Sequence, residues 1–202
     1  MVELILASQS AVRATLLEKA GLHFSRQSAN IDERAIEMPL ARSGFDPGDI
    51  ADVLAEAKAI DVSAFHRDAY VIGADQTMSY EEGGILVRGH KAENMEQARR
   101  QLLALRGKTH RLYTSVCCVR NGEIVFRHSD CADLTMRDFS PSFVGHYLAI
   151  VGAKALTSVG CYQLEGLGIQ LFEKIDGNYF TILGLPLLPL LDFLRSKGVV
   201  EE

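Results

Sequence analysis

Hydrophobic positions along the chain fall into short unbroken runs that alternate with stretches spaced at three and four residues. Leu4-Ile5-Leu6-Ala7 is an apolar run that closes on serines, as a buried strand does. Ser10 is placed to cap a helix from about Ala11 to Ala20, with Leu16, Leu17 and Ala20 on one face and Gly21 as its stop. His23 to Ala29 reads as a second strand. Asp46-Pro47 combines a cap with proline at the first helical position and predicts a helix to about Ser63, with Ile50, Val53, Leu54, Ala57 and Ile60 near one face. Tyr70-Val71-Ile72-Gly73-Ala74 is another buried strand, ending at Asp75. Glu81-Glu82-Gly83-Gly84 predicts a turn before a short strand, Ile85–Val87. Asn94-Met95-Glu96-Gln97 resembles a capping box and opens a helix that stops at Gly107. Two long strands follow, around Thr109–Arg120 and Glu123–Arg137, joined by Asn121-Gly122, the strongest hairpin signal in the chain. Ser140-Pro141 opens a helix to about Val151, Ile169–Ile175 reads as a strand, and Pro186–Arg195 as a closing helix. The pattern predicts one α/β unit with a mixed sheet and a hairpin-rich second lobe around residues 80–140.

Composition narrows the class. At 202 residues, 48% hydrophobic and 23% charged, the chain is long and apolar enough to bury a core, which excludes disorder and fibrous repeats. A net charge of -5 weighs against a protein that coats nucleic acid, yet leaves room for a small anionic ligand held by local charge. The opening Met1-Val2-Glu3 has no basic segment and no long apolar run behind it, so no signal peptide is expected. Leu183–Leu194, the greasiest stretch, is broken by Pro186, Pro189 and Asp192 and is too short to span a bilayer. Cys117, Cys118, Cys131 and Cys161 form no C-x-x-C pair and share no zinc spacing with histidine. They read as reduced thiols of a cytoplasmic protein, with Cys117 and Cys118 on opposite faces of a strand.

Candidate chemistry gathers where strands end. Ser8-Gln9-Ser10-Ala11-Val12-Arg13 joins a strand to a helix N-terminus, whose free N–H groups and dipole suit a phosphate; for the segment alone, a plain helix cap with a surface arginine is the better explanation, since serine caps are common. Asp32-Glu33 follows Ile31 after the second predicted strand and Asp75-Gln76 follows Ile72-Gly73-Ala74, positions where a carboxylate can hold a hard cation or orient a water. A solvated turn accounts for the first pair as well. Asp75 stands directly behind apolar residues and needs a partner or a task. Lys58 and Lys91 are ordinary lysines singly, but with Arg13 they can neutralise a triphosphate. Glu165-Gly166-Leu167-Gly168 reads as a tight turn between strands, its glycines permitting positive φ and close approach to a ligand. Cys131 and Arg137 match the C-x5-R spacing of cysteine phosphatases. The residues between them alternate like a strand and lack glycine, so the match is rejected.

These segments together resemble the Maf family of nucleoside-triphosphate pyrophosphatases. Leu4-Ile5-Leu6-Ala7-Ser8-Gln9-Ser10-Ala11-Val12-Arg13-Ala14-Thr15-Leu16-Leu17 follows the family's L-I-L-A-S-x-S-x-x-R-x-x-L-L opening. Ile31-Asp32-Glu33, Ala55-Glu56-Ala57-Lys58-Ala59, Gly73-Ala74-Asp75-Gln76 and Gly107-Lys108-Thr109-His110 with Thr114-Ser115-Val116 follow in order. Glu165-Gly166-Leu167-Gly168 and Gly184-Leu185-Pro186-Leu187 close the set. The chain departs from the family pattern at Ala11, where proline is usual, and at Gly89-His90-Lys91-Ala92, where G-K-P is usual; the lysine is carried to Lys91. Gln76 in place of threonine and Glu165 in place of glutamine make the chain more similar to the branch acting on 7-methylguanosine triphosphate.

The resemblance implies a single Maf-like domain over residues 1–202. Its expected fold is a mixed twisted sheet flanked by helices, similar to inosine-triphosphate pyrophosphatases, with a cleft between two lobes. It implies hydrolysis between the α- and β-phosphates of a nucleoside triphosphate, with a house-cleaning and cell-division role. Asp75 is the expected general base, and Glu33 and Asp75 the expected ligands of a divalent cation (Mg²⁺, Mn²⁺ or Co²⁺). Arg13, Lys58 and Lys91 would bind phosphates, Ser8 and Ser10 would donate at the helix start, and Gln76, Thr114 and Glu165 would shape the site or read the base. The expected partners are the nucleotide and a second copy in a homodimer, with neither nucleic acid nor membrane. The alternative is a non-catalytic nucleotide-binding regulator of cell division, for which paired Glu33 and Asp75 would have less use.

Overall fold

A computed structural model describes residues 2–201. The chain runs through β1 (Leu4–Leu6), α1 (Ala11–Lys19), β2 (Ser25–Arg26), α2 (Glu33–Arg42), α3 (Pro47–Ser63) and β3 (Tyr70–Glu82). It continues through β4 (Ile85–Gly89), α4 (Met95–Leu105), β5 (Thr109–Arg120), β6 (Glu123–Met136) and α5 (Pro141–Val151). Two 3₁₀ turns, Gly152–Thr157 and Leu167–Leu171, precede β7 (Phe172–Asp176), α6 (Tyr179–Ile182) and α7 (Leu187–Ser196). The strands form a sheet of order β2-β1-β3-β5-β6-β7, with β4 paired to β3 off that path. It is mixed: β1 runs parallel to β2 and β3, whereas β3–β4 and β6–β7 are antiparallel. The α/β fold expected from hydropathy is therefore the fold observed.

Local signals placed most elements. Ser10, Asp46, Asn94 and Ser140 each accept a backbone N–H at the start of α1, α3, α4 and α5. The hairpin turn puts Asn121 at φ 54 and Gly122 at φ 76, the left-handed pair that a two-residue turn between twisted strands requires. Four expectations need correction. The strand opening at Tyr70 runs on through the buried polar residues Asp75, Thr77 and Ser79 to Glu82, because its second half pairs with β4, Met78 opposite Gly89. The predicted strand His23–Ala29 shrinks to Ser25–Arg26. The loop after it holds α2, capped by Asp32, which the sequence hid because the helix carries Pro39 and buries no residue. The predicted strand Ile169–Ile175 begins only at Phe172, the preceding residues winding into a 3₁₀ turn that leaves Ile169 exposed.

The chain resolves into two compact units. The first comprises residues up to Gln76, Tyr113–Asp130 and those from Asn178 onward. Strand alternation divides its core in two. Leu4, Leu6, Tyr70, Ile72, Ala74, Val116 and Cys118 pack with Leu16 and Leu17 of α1 and Leu187, Leu190 and Leu194 of α7. Ile5, Ala7, Val71, Cys117 and Val119 pack instead with Ala55, Ala59 and Val62 of α3. The adjacent cysteines thus serve opposite layers, and burial pushes the Cys117 thiol up to about 12. Gly73 permits the α3 layer: a Cβ there would lie 2.1 Å from the Ala55 carbonyl oxygen and 2.8 Å from the Ala59 Cβ. Helix and strand meet backbone to backbone at that point.

The second unit comprises Thr77–Leu112 and Cys131–Gly177. Its core includes Met78, Leu102, Leu105, Leu112, Leu134, Met136, Val144 and Tyr147. Arg111 grips Asp133 through two bonds of 2.7 and 2.6 Å. His110 is only 1% exposed; its Nε2 shares a 2.8 Å hydrogen bond with the Tyr162 hydroxyl, while Nδ1 has no hydrogen-bond partner among the described residues. Burial pushes the imidazole down to about 4, against an opposing pull from Asp133. The unfolded chain therefore binds a proton between pH 6.5 and about 4 that the folded chain refuses. Stability from the neutral imidazole is complete above 6.5 and is lost as pH falls through that window, by on the order of 3 kcal/mol. We expect the urea midpoint to drop from about pH 7 to about pH 5, and to drop less steeply in His110→Gln. Equal slopes in the two proteins would show that other groups set the acid sensitivity.

Candidate active site

The first unit gathers most of the predicted residues around the point where β1 ends and β3 continues. Main-chain pairing of β1 with β3 stops at Ile72, whose carbonyl accepts from the Ala7 N–H at 2.8 Å. Three residues further on, Asp75 has lost its parallel neighbour. It lies on the same face as Val71 and Gly73, the face toward α3. Lys58, buried at 8% exposure, projects from α3 and places its Nζ 2.6 Å from Asp75 Oδ1 and 3.0 Å from Glu33 Oε1. Glu33 opens α2, where the Asp32 carboxylate caps the helix by accepting the Ala35 N–H at 3.0 Å. The acidic pair is thus divided: Asp32 holds the helix start and Glu33 reaches the ammonium. The Glu33 side chain is half exposed while Asp75 and Lys58 are enclosed, so the cluster has a buried end and a wet end.

Arg13 closes the site from α1. Its Nε donates to the Gly184 carbonyl at 2.7 Å, and its Nη1 donates to the Ala74 carbonyl at 2.8 Å and to Ser8 Oγ at 3.3 Å. The guanidinium is buried, which pushes its pKa down, while Asp75 and Glu33 pull it back up. Ser8 Oγ also accepts the Ser10 N–H at 3.2 Å, and Ser10 Oγ accepts the Arg13 N–H at 3.3 Å. Both serines therefore shape the helix start. Of the guanidinium nitrogens, Nη2 is the one not engaged in these bonds.

Gln76 points to the opposite face from Asp75. Its Nε2 donates to Thr114 Oγ1 at 2.8 Å and to the carbonyls of Thr181 and Ile182 at 3.0 and 3.1 Å. Thr114 Oγ1 donates in turn to the Thr181 carbonyl at 2.9 Å. Two carbonyl acceptors fix the amide orientation, because only the NH₂ end can satisfy both. Sequence reasoning missed Thr181 and Asp130, whose carboxylate accepts the Thr181 hydroxyl at 2.6 Å. The only signal for Thr181 was a hydroxyl within the apolar run Tyr179-Phe180-Thr181-Ile182-Leu183, and Asp130, in the polar stretch Arg127-His128-Ser129-Asp130, gave none.

Lys91 and Glu165 belong to the second unit. Lys91 is exposed in the loop after β4, and Glu165 is exposed in the turn that leads into the second 3₁₀ turn. That turn does not connect two strands, and neither Gly166 nor Gly168 has positive φ. Gly168 instead answers to close packing on its own chain, since a Cβ there would lie 2.4 Å from the Gln163 carbonyl oxygen. Cys131 lies on β6 and Arg137 just beyond its end, with no cradle loop between them, as the alternation predicted.

Among the described residues no group of three or more His, Cys, Asp or Glu side chains gathers as a metal site. Asp75 and Glu33 nevertheless converge on one positive charge, the Lys58 ammonium. An enclosed and a half-exposed carboxylate this close together fit a hard divalent cation that takes its remaining oxygens from water and phosphate. Among the described residues no helix is long and apolar enough to cross a membrane.

Comparison with known proteins places this chain in a family. The Maf-like protein family matches residues 3–197, and the chain belongs to the Maf family. A Brucella abortus protein named 7-methyl-GTP pyrophosphatase is 54% identical over 200 residues, covering 99% of this chain and 98% of its own. A Paramagnetospirillum magneticum protein named nucleoside triphosphate pyrophosphatase is 50% identical over 194 residues, covering 96% and 98%. A HAM1 protein from Coxiella burnetii, solved as a structure, aligns with 69% of this chain and 75% of its own at a TM-score of 0.43 and 12% identity.

The buried bonds of Arg13 predict an asymmetric response to charge-conserving substitution. Lysine keeps the charge but cannot reach two carbonyls and a hydroxyl with one planar fork. Arg13→Lys is expected to lower unfolding free energy by about 2–3 kcal/mol, from stranded carbonyls alone. A urea midpoint equal to the parent's, at equal m, would show those carbonyls to be satisfied by water.

Proposed function

We propose that this chain hydrolyses the α–β anhydride of 7-methyl-GTP, with Asp75 as the general base. The protein is a nucleoside-triphosphate pyrophosphatase, a hydrolase acting on acid anhydrides. The observation that carries the assignment of the base is the buried Lys58 bridge to Asp75 and Glu33 beside the Ser8–Arg13 helix start. The base preference rests on the relatives named 7-methyl-GTP pyrophosphatase.

Lys58 fixes Asp75 Oδ1, which leaves Oδ2 to take a proton from the attacking water. The water oxygen adds to the α-phosphorus, the bond to the bridging oxygen breaks, and pyrophosphate leaves with that oxygen. Nucleoside monophosphate and pyrophosphate are the products. Lys58 and the Nη2 edge of Arg13 offset the phosphate charge, which is most of what such a reaction needs beyond positioning. Ser8 and Ser10 fix the first turn of α1, whose remaining N–H groups and positive dipole end favour the same charge. A divalent cation (Mg²⁺, Mn²⁺ or Co²⁺) is the expected cofactor; Glu33 and Asp75 would hold it, and when bound it supplies charge neutralisation at the phosphate oxygens. The family resemblance assigns Lys91 to phosphate and Glu165 to the base, a carboxylate being able to accept from two adjacent donors of a guanine edge. The whole chain acts as one pyrophosphatase domain, cytoplasmic and homodimeric, with neither nucleic acid nor membrane as partner.

Pyrophosphate release from 7-methyl-GTP, GTP, UTP and dTTP, each with Mg²⁺, Mn²⁺ or EDTA, tests the reading. We expect metal-dependent release with 7-methyl-GTP preferred. Binding without release by any nucleotide would move the protein to the class of nucleotide-responsive regulators. Asp75→Asn is expected to lose about 10²–10⁴-fold in kcat with the circular dichroism spectrum unchanged. Turnover at the parent rate would take the base role from Asp75.

A further inference from the structure

We propose that Thr181 is a positioning residue for Asp75, acting through the two peptide neighbours of the carboxylate; the inference rests on the assignment of Asp75 as the base. Thr181 is 1% exposed in the single-turn α6. Its carbonyl accepts from Gln76 on β3 at 3.0 Å and from Thr114 on β5 at 2.9 Å, while its hydroxyl donates to Asp130 on β6 at 2.6 Å. One residue is thereby tied to three strands of the first unit. Ile182 adds a second carbonyl to the Gln76 amide. Three residues on, Gly184 gives its carbonyl to Arg13, which also holds the Ala74 carbonyl.

The consequence falls on Asp75. The carbonyl preceding it is held by Arg13, and the side chain following it is held by α6. Both holds lead to the same segment, Thr181–Gly184. Past the end of β1, Asp75 keeps β5 on one side of its strand but has no β1 partner on the other, and these bonds take the place of that second ladder. The Thr181 hydroxyl orients the segment because an isolated helical turn has little stability of its own. Without that bond the turn can rotate, its carbonyls leave the Gln76 amide, and Oδ2 of Asp75 moves relative to the water it activates.

The chemistry separates this role from mere support of the fold. Displacing a base by a fraction of an ångström slows turnover while leaving nucleotide binding intact. Thr181→Val, which keeps the shape and removes the hydroxyl, is expected to lower kcat at least about tenfold with KM changed less than about twofold. Thr181→Ser should restore kcat to within about threefold of the parent, since it returns the hydroxyl. Asp130→Ala should reproduce the Val phenotype and Asp130→Asn should not, because an amide oxygen still accepts the hydroxyl. If Thr181→Val fails to fold, the Ser variant and the Asp130 pair decide the question. Parent-like kcat in Thr181→Val or Asp130→Ala would overturn the inference, as would loss in KM alone. Asp75→Asn run alongside distinguishes the failures. If it is inactive while the Thr181 variants are normal, only the positioning role falls; if it turns over normally, the base assignment falls first.

Discussion

A buried ammonium needs counter-charge within reach, and Lys58 meets that need with one enclosed carboxylate and one half-exposed carboxylate. The site's architecture follows from this demand. Asp75 must stand on the α3 side of β3, Glu33 must open α2 within reach of the same nitrogen, and α3 must approach the sheet closely enough for a lysine to bridge them. Removing Lys58 would leave two carboxylates facing one another without counter-charge, one of them in a place where water cannot freely enter. The cluster is costly to assemble and therefore specific about geometry. It holds two acids close together that would otherwise repel, which is a useful state for a protein whose ligand is a polyanion.

The opposite face of the same strand works by different means. There the ties are neutral hydrogen bonds, from Gln76 and Thr114 to main-chain carbonyls of α6. Neutral bonds are individually modest but directional. They fix orientation where the ion bridge fixes proximity. Arg13 belongs to both systems: its charge responds to Asp75 and Glu33, and its donors are committed to carbonyls of Ala74 and Gly184. A strand with period two can serve two layers at once, so consecutive residues 74, 75 and 76 are each held by a different part of the unit.

Much of this was legible in the sequence because the signals are local. Caps at Ser10, Asp46, Asn94 and Ser140 and the Asn121-Gly122 turn depend on residues within a few positions of one another. Asp75 was legible as an acid with no business behind an apolar run. What escaped was set by distant partners. Asp75, Gln76 and Thr77 looked like a strand end because the strand β4, which pairs with the continuation from Met78 to Glu82, lies further along the chain. Helix α2 escaped because it carries Pro39 and buries no residue, so it leaves no apolar stripe to read. Thr181 escaped because a threonine in a hydrophobic stretch looks like filler until its three partners, from three strands, are brought beside it.

Gly73 carries a consequence for how this site can vary. The space a side chain would need there is taken by the Ala59 methyl and by the Ala55 carbonyl oxygen. The methyl can be removed by a second substitution; the carbonyl is main chain and no change of residue type removes it. A neighbouring mutation can therefore relieve only part of the clash. The position sits two residues from Asp75 and touches no ligand group, yet it sets the gauge between strand and helix on which the lysine's reach depends. Variation in this part of the protein is confined by the backbone of α3 itself, so drift in the surrounding core has to flow around residue 73 rather than through it.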